Sequence, residues 1–313
     1  MRIAFIGHSY HQLTRSCQFF LDLLMLLGEV EVLWDESWAW RKSEWSASFE
    51  PATFDCIVIW QWSSVIVTMH PQLAEHDNVI LIPMYDMVAA TPSWIWHRAY
   101  RRFKIICFSS ALFNDVSEAT SKVRLFKYYP NPSLYPRVSD YEDLRAFFWW
   151  RTNEVNDTSI ARLCRKAELK RFTFRLAQDP GIKHLGQSEC PAALECVGLS
   201  EWFSSKDEYL ALVSSHNIFF APRLREGIGM AFLEAMAMGM CVVARDLPTH
   251  NEYITHGFNG LLYDGDSEEI DLRETARLGR CARDSMVSGY RRWLASRGEL
   301  FSFIEAAKDS NRR

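Results

Sequence analysis

The sequence predicts an α/β protein of two domains, each built on a parallel sheet with helices on its faces, opposed across a cleft. Three observations predict it. Short apolar runs alternate with helix-like stretches along most of the chain, and such alternation builds parallel sheets covered on both faces. The alternation breaks once, at a proline-rich stretch near residues 130–145. The length of 313 residues leaves room for two domains, at about 150 residues each.

RIAFIG (2–7) is the first strand. TRSCQFFLDLLMLLG (14–28) places apolar residues at helical spacing and ends on a glycine, where a helix can stop. VEVLWD (30–35), TFDCIVIW (53–60), NVILIPM (78–84), KIICFSS (104–110) and VRLFKYYP (123–130) are further strands, with a helix near 93–102. YPNPSLYPRVSDYED holds three prolines and no apolar run, so it reads as a linker. The second series runs RAFFWW (145–150), a helix at about 156–168, FTFRLA (172–177), ALECVG (193–198), a helix at 206–216 and NIFFAP (217–222). A helix at 229–238, MCVVAR (240–245) and GLLYD (260–264) follow, and the pattern is helical from about 268. The domains are placed at 1–140 and 145–295.

Composition narrows the function classes. The chain is 48% hydrophobic and 24% charged, with a net charge of −4, so nothing global points to a nucleic-acid partner. No apolar run reaches the roughly 18 residues of a membrane span. MRIAFIGHSYHQL lacks the long apolar region and cleavage pattern of a secretory signal, which points to a cytoplasmic protein. The eight cysteines are scattered, several within strand-like runs, as reduced buried thiols are. No metal-ligand spacing is present, and no metal or cofactor is expected.

A nicotinamide enzyme would carry Gly-x-Gly-x-x-Gly after its first strand. Here the turn is Gly7-His8-Ser9-Tyr10-His11, with one glycine. His8, Ser9 and His11 still fall at the carboxyl end of a strand, where open α/β sheets bind ligands, and are acceptor-site candidates as well as ordinary structural residues.

The informative stretch is 221–266. NIFFAP reads as a buried strand, and REGIG turns the chain with two glycines that allow close backbone approach. The next helix then presents free N–H groups and its positive dipole end, which suit a diphosphate. Met230, Ala231, Ala237 and Met238 surround Glu234 at helical spacing, and 235, 236 and 240 are apolar too. A helix apolar on every side is buried, and a carboxylate there must find hydrogen-bond donors. The two hydroxyls of a ribose would serve both oxygens; local backbone or an arginine would serve as well. Glu226, eight residues earlier at the helix mouth, can point into the same cleft.

This region resembles the E-x7-E motif of retaining GT-B-fold glycosyltransferases, the family 1/4 group: Pro222, Glu226-Gly227-Ile228-Gly229, then Glu234-Ala235-Met236-Ala237-Met238-Gly239, with Glu252 and a Gly-x-Asn-Gly turn at 257–260. The resemblance implies two Rossmann-like domains, with the last helix, about 296–313, packing back on the first. It implies that Glu234 binds the donor ribose, that Glu226 meets the transferred sugar, and that the backbone of Gly227, Ile228 and Gly229 holds the sugar or its phosphate. Arg151, after the first strand of the second domain, would neutralise the leaving diphosphate. The family's lysine, five residues on, is Asn156 here; Arg223 or Arg225 could compensate, or be a solvated pair.

The expected reaction moves a sugar from a UDP- or GDP-sugar to a glycan, glycolipid or small-molecule acceptor, with retention and without metal. Asp86, with Tyr85, follows NVILIPM and is a candidate acceptor contact or general base, or simply a turn aspartate. Trp38 and Trp40, in a polar loop, offer indole faces to a sugar. TPSWIWHRAYRRFK (91–104) mixes aromatics with cations and reads either as peripheral membrane contact or as an ordinary amphipathic helix. A catalytically weak nucleotide-sugar-binding or regulatory protein is the alternative.

Overall fold

The computed structural model describes residues 1–36, 48–61, 73, 75–152, 154–164, 167–176, 195–199, 203, 205–265 and 269–306. The chain divides into two compact units: Met1–Lys127 with the chain from Leu294 onward, and Tyr128–Trp293.

The first unit carries six parallel strands: β1 (Arg2–His8), β2 (Glu29–Asp35), β3 (Cys56–Trp60), β4 (Val79–Ile82), β5 (Lys104–Cys107) and β6 (Val123–Leu125). Their order is β2-β1-β3-β4-β5-β6. Phe5 stands opposite Val32 on one side and Val58 on the other. Every residue of β3, β4 and β5 is buried, which is why β3 and β4, and β5 after Lys104, read as apolar runs.

Helices α1 (Tyr10–Thr14) and α2 (Gln18–Met25) replace the single helix expected at 14–28. Arg15, at φ 51, ends α1 in a left-handed cap, so the chain must restart at Gln18. After β4 come α3 (Tyr85–Val88) and α4 (Ser93–Ile95), the latter running into a π-helical turn, Trp96–Tyr100. That turn buries Trp96 and Tyr100, while Trp94, Arg98, Arg101 and Arg102 are exposed. The helix α5 (Ser110–Ser117) lies between β5 and β6.

Lys104 departs from the cation face read at 91–104. It is buried, and its Nζ donates to the backbone oxygens of Phe303 at 2.5 Å, Ile304 at 3.1 Å and Ala306 at 2.7 Å. Asn78 Nδ2 donates to Ile304 O at 3.0 Å. These are orphan carbonyls at a helix end, and a cation there complements the dipole. Burial pushes the Lys104 ammonium down to about 8, so it is charged at neutral pH.

The second unit has six parallel strands: β7 (Leu144–Trp149), β8 (Leu169–Arg175), β9 (Glu195–Leu199), β10 (Ile218–Phe220), β11 (Cys241–Arg245) and β12 (Leu261–Tyr263), ordered β12-β11-β10-β7-β8-β9. Among the described residues its α-helices are α6 (Asp157–Leu163), α7 (Lys206–Ser214), α8 (Met230–Met238) and α9 (Thr275–Glu305). The core packs Phe148, Phe172, Phe174 and Phe220 with Ile160, Leu163, Val243 and Leu278. The helix α9 begins in this unit and ends in the first.

The seam falls after Lys127, ahead of the proline-rich stretch expected to be a linker. The reason lies in its side chains. Tyr128 packs edge-on to Trp293, and Tyr129 edge-on to Tyr253. Val138 N–H donates to Met238 O at 2.8 Å, and Arg283 donates to Ala237 O and Pro132 O. Among the described residues Cys17, Cys56, Cys107, Cys164, Cys241 and Cys281 are free thiols, and all but Cys281 are buried.

Candidate functional site

In an open parallel sheet, ligands bind beyond the carboxyl ends of the strands, where the strand order reverses. In the second unit that point lies between β7 and β10, which pair through Phe148 and Phe220 although they are far apart in sequence. The chain leaving β7 reaches Arg151 within two residues, and the chain leaving β10 enters the loop 221–229. Topology alone therefore brings Arg151 and the Glu226 loop to one crevice. The two segments also touch, since Leu224 N–H donates to Glu154 Oε2 at 3.4 Å.

Gly229 sits at the N-cap of α8 with φ 83, a left-handed conformation that favours glycine. A Cβ at this position would collide with the ring of Phe232. Phe232 cannot move aside easily, being fully buried against His250 and Tyr253. Glu226 is buried, and its carbonyl accepts from Thr249 Oγ1 at 3.3 Å. Gly227, Ile228 and Gly229 are buried alongside it, so the glycine loop is held against the mouth of α8.

Phe232 through Met238 are all buried, as the apolar surround of Glu234 implies. Among the described residues the carboxylate has two hydrogen-bond donors. Tyr135 Oη donates to Glu234 Oε1 at 3.2 Å, and Lys206 Nζ donates to the same oxygen at 2.8 Å. Sequence reasoning missed both. Tyr135 lies in the stretch read as a linker. Lys206 had a signal: it opens α7, where a cation opposes the helix dipole.

Arg151 is half-buried, with its guanidinium 5.0 Å from the centre of the Trp149 ring. Arg175, at the end of β8, lies 4.1 Å from the same ring and also stacks on Phe203 and Tyr209. Burial pushes the Tyr209 phenol up and Glu234 adds to this, while Arg175 and Arg151 oppose it. One hydroxyl thus senses all three groups. Asn156 is the N-cap of α6, its Oδ1 accepting from Ser159 N–H at 2.9 Å. The position that would carry a lysine is committed to a helix end. Arg223 is half-buried and Arg225 exposed.

The first unit has its own reversal, between β1 and β3. His8 ends β1, and its Nε2 lies 3.1 Å from Oε1 of Gln61, which follows β3. Gln61 adopts φ 65, an unfavourable value for a residue with a side chain. His8 stacks on His11 at 3.8 Å, and His11 Nδ1 is 2.7 Å from Ser16 Oγ. Ser9 N–H donates to Asp35 O at 3.0 Å. Tyr85 and Asp86 open α3 at the end of β4, one strand beyond β3. The structure thus gathers His8 and His11 with Gln61, which sequence reasoning passed over. Trp38 and Trp40 lie outside the described residues.

Residues 201–275, which span α7 to β12 and hold Lys206, Glu226 and Glu234, match the family described as glycosyl transferases group 1. No curated protein sequence matches the chain significantly. Among solved structures, the chain is similar to Anabaena Alr3699/HepE in complex with UDP and glucose, at 14% identity and TM-score 0.65, over 96% of this chain and 99% of that one. It is similar to sucrose-phosphate synthase from Thermosynechococcus elongatus at 14% identity and TM-score 0.66, over 96% and 98% of the two chains. The lipopolysaccharide outer core galactosyltransferase WaaB matches at 13% identity and TM-score 0.54, over 99% and 96%. At these identities the likeness establishes the fold.

Proposed function

We propose, from the match of residues 201–275 to the glycosyl transferases group 1 family and from the GT-B fold, that this chain transfers a sugar from a nucleoside-diphosphate sugar to an acceptor hydroxyl. The observation that carries the reading is the placing of Arg151 and the Glu226–Gly229 loop at one sheet reversal, with Glu234 on the helix that follows the loop. Glu234 takes the ribose hydroxyls. The backbone of Gly227, Ile228 and Gly229 and the start of α8 face the diphosphate, where free N–H groups stabilise negative charge. Arg151, with Arg223 nearby on the loop, adds positive charge. Glu226 meets the transferred sugar near C1.

In the reaction the bond from C1 to the diphosphate oxygen breaks and the acceptor oxygen ends bonded to C1 on the face that the diphosphate leaves. The leaving diphosphate takes the electron pair, and the acceptor proton passes to a base, for which Asp86 is the candidate. Charge grows on the leaving group, which is where a fixed cation and helix N–H groups act most. We assign retention of configuration and independence from metal to this chemistry. The acceptor, a glycan, glycolipid or small molecule, meets the first unit through His8, His11 and Asp86, with Ser9 and Tyr85 beside them. Exposed Trp94, Arg98, Arg101 and Arg102 fit a peripheral contact with an anionic membrane face, in keeping with a cytoplasmic enzyme.

Titration with UDP, GDP and ADP tests the donor site. The wild type is expected to bind at least one, with Glu234→Ala weakening it tenfold to a hundredfold, about 1.4–2.8 kcal/mol. Unchanged affinity in Glu234→Ala would sink the assignment. Turnover in EDTA is expected to equal turnover without it. The commitment of Asn156 to a helix cap favours a second reading, a nucleotide-sugar-binding protein with weak transfer. Binding without transfer or donor hydrolysis across a broad acceptor panel would favour it.

A further inference from the structure

The Glu234 carboxylate is not offered symmetrically. Tyr135 and Lys206 both donate to Oε1, and Oε2 accepts no hydrogen bond among the described residues. A carboxylate oxygen accepts about two hydrogen bonds. Oε1 is therefore filled by the protein, and Oε2 keeps its capacity.

The surroundings explain how this arrangement is held. The Glu234 side chain is 8% exposed and that of Lys206 52%, so the carboxylate is enclosed and the ammonium lies on its solvent side. Lys206 follows the Ser205 cap of α7, where a cation is unfavourable and where Asp207 and Glu208 are the usual charge. Its stem would be free to turn to water, yet Nζ points at Glu234 and lies 5.5 Å from the centre of the Tyr135 ring. Burial, and then Glu234, push the Tyr135 phenol up, so it keeps the proton it donates.

We propose that Lys206 is a positioning residue for the donor ribose: with Tyr135 it ties one oxygen of Glu234 to the protein, so that the other alone meets the sugar hydroxyls of the nucleotide. The inference rests on the donor-site reading above. It refines that reading, because a ribose diol bridging both carboxylate oxygens would have to compete with two protein donors at Oε1. A lysine that touched the diphosphate instead would act on a different part of the ligand.

A ligand cycle separates the two. Dissociation constants are measured for the nucleoside diphosphate that the wild type binds best among UDP, GDP and ADP, and for its 2′,3′-dideoxy analogue. Lys206→Met is expected to weaken the ribose-containing ligand about tenfold and the dideoxy ligand less than about twofold, since the effect passes through the hydroxyls. Lys206→Arg should restore most of the loss, and Lys206→Met should raise KM for the donor with kcat little changed. An equal loss for both ligands overturns the proposal, as does unchanged binding of the ribose-containing one. If Lys206→Met lowers the melting temperature of the free protein, Tyr135→Phe enters the same cycle, with the same ligand-selective loss expected and the same outcomes against it. A wild type that binds no nucleoside diphosphate overturns the donor-site reading and this inference together, a result distinct from either of the others.

Discussion

Gly229 is the residue on which the loop 221–229 turns. Its φ of 83 and the nearness of the Phe232 ring both bar a side chain. Gly229→Ala is expected to cost about 2–4 kcal/mol, the sum of a left-handed alanine and an overpacked core. A lowered urea midpoint with an unchanged slope would measure it. Single residues were legible in the sequence to different depths. That Glu234 needs a partner follows from its apolar helix, because a lone buried carboxylate is costly. Which partners it has does not follow: Tyr135 and Lys206 lie 99 and 28 positions away, and only the fold brings them in. Asn156 was legible as a missing lysine, while its cap on α6 needs the Ser159 N–H to be seen.

Among the elements, strands were easier to place than helices. The parallel strands β3, β4 and β5 are buried throughout, so apart from Lys104 their sequences are apolar runs between polar turns. Helix limits depend on local backbone choices that periodicity does not encode. Arg15 divides one apolar pattern into α1 and α2, and the stretch after Ser93 widens into a π turn. The proline-rich stretch misled because prolines mark a break in regular structure, not a break in packing; its Tyr129 and Tyr141 anchor it to the second unit. The end of α9 makes a test at this scale. Lys104→Met removes the donor shared by three carbonyls. A loss of about 2–3 kcal/mol is expected, with faster amide exchange in 298–306 than in the rest of α9.

For the molecule as a whole, acid is the expected weakness, and it sits in the second unit. His216 and His250 are both buried, and burial pushes each from the usual 6.5 down to about 4. The ring of His216 is held between Leu212 O at 3.0 Å and Thr173 Oγ1 at 2.8 Å, which suits a neutral imidazole. A folded pKa below the unfolded one means that the unfolded chain binds the proton first. The stability held above about pH 6.5 is therefore lost as the pH falls toward 4, by up to about 3 kcal/mol for each histidine. Urea midpoints at pH 7 and pH 4.5 should differ accordingly, and His216→Gln should flatten the dependence. At this scale the alternation of elements announced two parallel sheets, but not their strand order, which is set by long-range pairing such as β7 with β10. The long-range tie between Lys104 and the end of α9 also bears on synthesis. The lysine leaves the ribosome some two hundred residues before the carbonyls that receive it, at separations of 199 to 202. The second unit, continuous from Tyr128 to Trp293, has all its residues in hand sooner. Of the two units, the one whose sequence starts earlier is the one completed later.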